Sequence, residues 1–295
     1  MKRGRPQPGR GDHRGEIHVL DPQSDYLRIH QFTMLYDFPA DAKLGANMAF
    51  YRVFSIPRIA DLLVGTGEMT GRPVKRAYDT GLVISELIAQ GFDHPRGREM
   101  VRFLGEVHRP WPIAQEDFTY VLCAFIVVPM RWIERRGWRP LLPAEREAGA
   151  RFYRELGRRM GIRHLPRSYA EAAEMLDAFE ARHRAPSPAA GQLMSATHRV
   201  VAGRLPRVLR RRTPWAISAL LGEPPLSEAL GLPRVGRMAC CLVDVCYRLR
   251  NLAIRWRRPS TGPWFVPGQP AGDVYPDGYR LGDLGPLPGG PDGLR

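Results

Sequence analysis

Residues 120–130, YVLCAFIVVPM, are the most apolar run in the chain and constrain it more than any other stretch. The run has about half of the roughly twenty residues that a helix needs to cross a bilayer, so it reads as a buried core helix. Asp117 precedes it, and Arg131, Arg135 and Arg136 follow it. Those charges complement the helix dipole at both ends.

Almost every other segment also repeats its apolar residues at the helical period, and no alternating run bounded by turn signals reads as a strand. The expected class is all-α: a single helical domain with a long, irregular, Gly/Pro-rich C-terminal tail. A first helix is expected from Leu44 to Val64, kinked at Pro57. A second runs from Pro73 to Gln90, and a third from Pro95 to the RPWP break. A fourth spans Gln115 to Arg136, and a fifth starts at Pro143, a good first helical residue, and ends near Gly161. Ser168 and Glu171 form a capping box for a sixth, with two or more helices between Ala189 and Arg257. The expected layout is a flexible basic arm at 1–15, a helical domain at 16–258 and a tail at 259–295, packed on the domain or mobile. In that tail 17 of 37 residues are Gly or Pro, which excludes a terminal helix.

Length and composition suit a globular chain: 295 residues, 44% hydrophobic and 9% aromatic. The 44 Lys and Arg outnumber the 30 Asp and Glu, giving a formal net charge of +14, nearly all from arginine. Such a balance suits acidic partners of many kinds. The four cysteines, Cys123, Cys240, Cys241 and Cys246, make neither a disulfide framework nor a CxxC zinc pair. The basic N-terminal stretch has no apolar segment behind it and does not read as a secretory signal. A reduced, cytoplasmic setting is the expectation.

The candidate chemistry lies in two helices. In MVRFLGEVHRPWP, residues 100–112, the stripe Met100, Phe103, Leu104 and Val107 continues into His108, two residues before a proline that ends the helix. An imidazole there is either a core histidine satisfied by a carbonyl or a metal ligand. In PVKRAYDTGLVISELIAQ, residues 73–90, Arg76 and Thr80 sit one turn apart on a helix apolar on many sides. A desolvated guanidinium needs a partner. That partner is either a carboxylate, Glu106 or Asp79, or a bound anion such as a cofactor propionate.

Other patterns exclude more than they suggest. GTGEMTG lacks the dinucleotide spacing, and no P-loop, HExxH or GxSxG motif occurs. His164, His183 and His198 are scattered among arginines and read as solvated. HRVVAGRLPRVLRRR, residues 198–212, carries six arginines, and Arg248 to Arg258 adds five. Leu and Val interleave at helical spacing in the first run, which fits an amphipathic helix on the core or on an anionic membrane better than a nucleic-acid groove.

The succession DPQSD, YDFPAD, FYRVFSIPRIADLLVGTGE, RPVKRAYDT, VHRPWPI, EDFTYVL, PMRWIERRGWRPL, FYRELGRRMGI and YPDGYRLGDLGP resembles bacterial members of the MpaB-type oxygenase family. That family shares its catalytic domain with the rubber-cleaving latex clearing proteins. The resemblance runs from about residue 16 to 287.

It implies an all-helical domain holding a non-covalent haem b. Arg76-x-x-x-Thr80 matches the family's distal arginine and threonine, and His108 matches the proximal iron ligand. His108, Arg76 and Thr80 are then the cofactor-binding residues, and Arg76, Thr80 and Asp79 the catalytic set. Apolar side chains from 44–64 and 118–130 would wall a pocket for a small hydrophobic substrate. The implied reaction is oxidation, or cleavage, of a carbon–carbon double bond of an isoprenoid or lipid-like substrate by dioxygen. Rubber-cleaving members carry a distal lysine where this chain has Asp79, which turns the expectation away from rubber. Arg109 replaces the usual glycine after the ligand histidine, and Glu68 is the nearest candidate for an upstream base. The other expectation is a non-catalytic haem- or lipid-binding protein docking on anionic membranes through Arg199 to Arg212.

Overall fold

Proline at the first helical position starts many of the elements, because its missing N–H is one the first turn leaves unbonded anyway. The computed structural model of the protein describes residues 11–203, 206, 210–256, 262–272 and 274–285. Its helices are α1 (Arg14–His18), α2 (Tyr26–Gln31), α3 (Pro39–Phe54), α4 (Pro57–Gly65), α5 (Glu68–Gly71), α6 (Pro73–Gln90), α7 (Pro95–His108) and α8 (Gln115–Arg136). They continue with α9 (Pro143–Arg159), α10 (Tyr169–His183), α11 (Pro188–Gly203), α12 (Thr213–Leu221), α13 (Pro224–Ala229) and α14 (Arg237–Arg255). No strand occurs among the described residues, apart from an isolated bridge between Ala271 and Tyr275. The all-α class expected from periodicity is the class observed.

The helix expected over 44–64 is two helices. Ile56 takes an extended conformation, as the residue before a proline must, and Pro57 opens α4 afresh. A π-helix, Phe32–Asp37, follows α2 without a sequence signal. At α10, Ser168 Oγ accepts from the Glu171 N–H at 3.1 Å, while Glu171 reaches back to the Arg167 N–H at 2.6 Å. The cap therefore forms, with its return bond one residue earlier than in the usual box.

The chain divides into two compact units, 1–49 with 82–177 and 247–268, and 50–81 with 178–246 and 269–295. In the first, α8 is the central element: Tyr120, Leu122, Cys123, Ile126, Val127, Met130 and Ile133 are all buried. Gly45 of α3 lies against it, so close that a Cβ there would stand 2.4 Å from Pro129 Cα. Ile17, Ile29, Phe32 and Ala148 form an adjoining cluster. Beside it, Arg139 donates to Asp37 at 2.6 Å and to both oxygens of Glu145 at 2.7 and 2.9 Å. Thr33 Oγ1 and the Leu142 N–H also donate to Glu145. All three charged groups are buried, and this pairing, which leaves only Arg139 Nε without an acceptor among the described residues, makes them tolerable.

Of the expected arm, residues 1–10 lie outside the described residues. Gly11 N–H donates to Tyr36 O at 2.8 Å, and His13 Nδ1 meets Asp37 at 2.6 Å. In the second unit, Arg52 pairs with Glu180 and Glu223, and Arg184 also bonds Glu180. The Ala185 N–H closes onto Ser55 O at 3.2 Å. No described helix is long and apolar enough to cross a membrane.

His30 has no sequence signal and no exposed surface. It stacks on Phe152 at 4.6 Å, and neither ring nitrogen has a hydrogen-bond partner. Burial pushes its pKa from the ordinary 6.5 down to about 3. The unfolded chain therefore takes up a proton as pH falls through 6.5, and the folded chain does not. Stability should fall from pH 6.5 downward by up to about 1.4 kcal/mol per pH unit from this group. Urea unfolding of His30→Leu between pH 6.5 and 4.5 should show a flatter decline than the wild type, and equal slopes would remove His30 as the cause.

Candidate functional site

The first half of α6, in the second unit, carries the polar candidates Arg76, Asp79 and Thr80. Arg76 donates from its guanidinium to Thr80 Oγ1, and the Thr80 hydroxyl donates to Arg76 O at 3.1 Å. The spacing of four residues places both groups on one face, one turn apart. Among the described residues no carboxylate accepts a hydrogen bond from Arg76. Burial pushes its guanidinium below the ordinary value, while the charges of Asp79 and Glu68 act the other way. The pair is thus a cation with its donors directed by a neighbouring hydroxyl and not consumed by an ion pair. Such a group suits an anion or a polarised oxygen.

Asp79, expected beside them as a catalytic group, has a different set of contacts. Its Oδ1 accepts from the Tyr275 hydroxyl at 2.5 Å, and its Oδ2 from Lys75 Nζ at 2.7 Å and from the Gly285 N–H at 3.0 Å. Lys75 Nζ also donates to the carbonyls of Asp283 and Gly285, each at 2.9 Å. Burial and the bond to Asp79 push the Tyr275 hydroxyl upward, so it remains a donor. Asp79 thereby fastens the C-terminal segment to α6. Gly272 packs against the same helix, at φ +64°, where a Cβ would stand 2.5 Å from the Tyr78 hydroxyl. The pattern in YPDGYRLGDLGP is the sequence trace of this anchor, and Lys75, Tyr275 and Gly285 are the residues that sequence reasoning left out. Residues 259–261, 273 and 286–295 of the tail lie outside the described residues.

Glu68, the candidate base, is buried and bonded by Arg72 one turn later in sequence. Glu106, a candidate partner for Arg76, is exposed.

His108 belongs to the first unit, where it ends α7. The helix ends there as expected, but Arg109 still has right-handed helical angles, φ −55° and ψ −38°, so Pro110 does not push the residue before it out of that region. His108 Nδ1 lies 2.7 Å from Leu104 O, and Phe118 meets the imidazole edge-on at 5.7 Å between centroids. A ring nitrogen facing a carbonyl oxygen must donate, so Nδ1 carries a proton, and in the neutral ring the lone pair is then on Nε2. That is the tautomer used by metal-ligating histidines whose second nitrogen is held by the protein. Arg109 is exposed and directs its charge to solvent. Among the described residues no group of three or more His, Cys, Asp or Glu could hold a bare metal ion. A single imidazole backed by a carbonyl has the chemistry of a protein ligand that could hold a haem.

The all-helical chain thus carries a carbonyl-backed histidine at the end of α7 and an arginine–threonine pair at half-buried positions of α6. Residues 42–251 match the family model described as the catalytic domain of ER-bound oxygenase mpaB/B' and rubber oxygenase, and the chain belongs to that family. It is 31% identical to the ER-bound oxygenase mpaB of Penicillium roqueforti over 142 residues, which cover 46% of this chain and 48% of the relative. To mpaB' of Penicillium brevicompactum it is 25% identical over 315 aligned positions, covering 85% of this chain and 74% of the relative. To mpaB of the same organism it is 32% identical over 132 residues, 43% of this chain and 34% of the relative. The chain thus spans about half the length of the first relative and about a third of the last.

The tail anchor has a direct test. Tyr275→Phe removes one hydrogen bond to a buried carboxylate and should cost about 2 kcal/mol of stability in thermal or urea unfolding. It should also speed proteolytic cleavage within residues 269–285. Unchanged cleavage in Tyr275→Phe and in Asp79→Asn would mean that Asp79 does not hold the tail.

Proposed function

We propose that the chain is a haem b-dependent oxygenase that oxidises a carbon–carbon double bond of a small hydrophobic, isoprenoid or lipid-like substrate, with dioxygen as co-substrate. The observation that carries this reading is the bond from His108 Nδ1 to Leu104 O. It fixes the ring and leaves the lone pair on Nε2, the atom that would take the iron. Family membership supports the oxygenase class.

The residues that would hold the group are His108, through Nε2, and Arg76, through charge-assisted hydrogen bonds, with Thr80 bonding and directing the guanidinium. A bound haem supplies an iron centre at which dioxygen can be activated. The chain's own residues do the rest. The carbonyl of Leu104 keeps the imidazole in one tautomer and raises its basicity. Phe118 at the ring edge, with half-buried Phe103 and Val107 on the same helix as His108, limits water around the imidazole. The Arg76 guanidinium, directed by Thr80, provides donors for a propionate or for negative charge developing on oxygen. Asp79 acts indirectly in this reading: it orders the C-terminal segment against α6 and lends negative charge near Arg76.

The test is dioxygen uptake by the purified protein supplied with haem, with terpenoids and unsaturated fatty acids as substrates. Substrate-dependent uptake is expected, and Arg76→Ala should lower it by about a hundredfold if the guanidinium stabilises developing charge. Uptake that no unsaturated substrate of either class increases would contradict the proposal.

A further inference from the structure

α14 has a face that no described residue covers. Of the ten large hydrophobic side chains exposed among the described residues, six lie along this one helix and its end: Met238, Leu242, Val245, Leu249, Leu252 and Trp256. Their exposures run from 45% for Val245 to 87% for Met238 and 88% for Trp256. The spacing alternates four and three residues, which draws one straight stripe down a helix about 28 Å long.

The opposite face explains why the stripe is free. Arg250 holds Asp41 through two bonds of 2.8 and 2.5 Å, and Asn251 Nδ2 donates to the carbonyls of Arg136 and Gly137. Tyr247 meets Trp132 edge-on at 5.5 Å, and Arg255 donates to Trp138 O at 3.1 Å. The helix is seated by its polar side, and its most apolar side points to water. A monomeric chain rarely leaves such a continuous patch uncovered without a partner for it.

The charges beside the stripe select the partner. The other exposed residues of α14 are Arg237, Cys241, Cys246, Arg248, Ala253 and Arg255, with no acidic group among them. Two copies packed stripe to stripe would bring these arginines together, in a chain whose net charge is already +14. An anionic lipid surface instead offers negative charge at the level of the arginines and hydrocarbon beneath it. The small side chains beside the stripe leave room for shallow insertion, and an indole at the helix end suits the headgroup region. We infer that α14 is an interfacial helix that docks the protein on an anionic membrane surface through Met238, Leu242, Val245, Leu249, Leu252 and Trp256, flanked by Arg237 and Arg248. This places the docking face on α14, away from the basic run 198–212, of which residues 204, 205 and 207–209 lie outside the described residues. The inference is independent of the haem reading.

Co-sedimentation of the full chain with phosphatidylcholine vesicles, with and without phosphatidylserine, tests it. The wild type should pellet with the anionic vesicles and be released by salt. Arg237→Gln and Arg248→Gln should each weaken binding roughly fivefold. Leu242→Glu with Leu249→Glu should abolish it, with circular dichroism unchanged because neither side chain is in the core. Three results would overturn the inference. The wild type could fail to pellet with anionic vesicles. The double glutamate variant could bind as well as the wild type, which would point to another basic surface. The wild type could self-associate without lipid while the glutamate variant stays monomeric, which would make a second copy the occupant.

Discussion

The first unit depends on covering a helix that has almost no face for water. α8 buries residues on all sides along its apolar run, so neighbouring backbones must approach closely, and Gly45 is the residue that permits it at Pro129. Polar groups drawn in by that packing must then be satisfied locally. The set of Arg139, Asp37, Glu145 and Thr33 does so, and it ties the π-helix to the start of α9 with each carboxylate accepting more than one donor. Removing one member would strand the others without water, which makes the set rigid even though its net contribution to stability is small.

The elements legible from sequence are those fixed by local chemistry. α6, α7 and α8 begin and end where proline, apolar period and flanking charge place them. Pro57 was legible as a disturbance, but a kink and a break differ only in whether the residue before it leaves helical geometry, and Ile56 does. The π-helix at Phe32–Asp37 has no local mark, since its extra residue is accommodated by packing and by the bond from the Phe38 N–H to Thr33 O. α14 shows the limit of periodicity. Its stripe repeats as a core stripe does, and only the folded chain reveals that nothing among the described residues lies over it.

The candidate site divides the same way. Arg76 with Thr80 and His108 with Leu104 are contacts four residues apart, so the sequence contains both ends of each. Asp79 looked like a member of the same reactive set because it adjoins Thr80. Its partners, Tyr275 and Gly285, stand some two hundred residues away, and no spacing rule connects them. Neighbouring residues on one helix thus have different contacts: Arg76 and Thr80 bond each other, while Asp79 spends its acceptors on Lys75 and the tail. His30 is the reverse case, a fully buried imidazole with aromatic contacts but no hydrogen-bond partner among the described residues, which no local pattern announces.

The assignment of iron to His108 Nε2 is the point on which the functional reading turns. The visible absorption spectrum of the purified protein, beside that of His108→Ala, tests it most directly, with both chains expressed under ample haem supply. A strong Soret band in the wild type, lost or shifted in the variant while the helical circular dichroism is kept, is the result expected. A folded wild type that takes up no haem, or a variant with the same haem content and spectrum, would contradict it and leave His108 as a core histidine satisfied by Leu104.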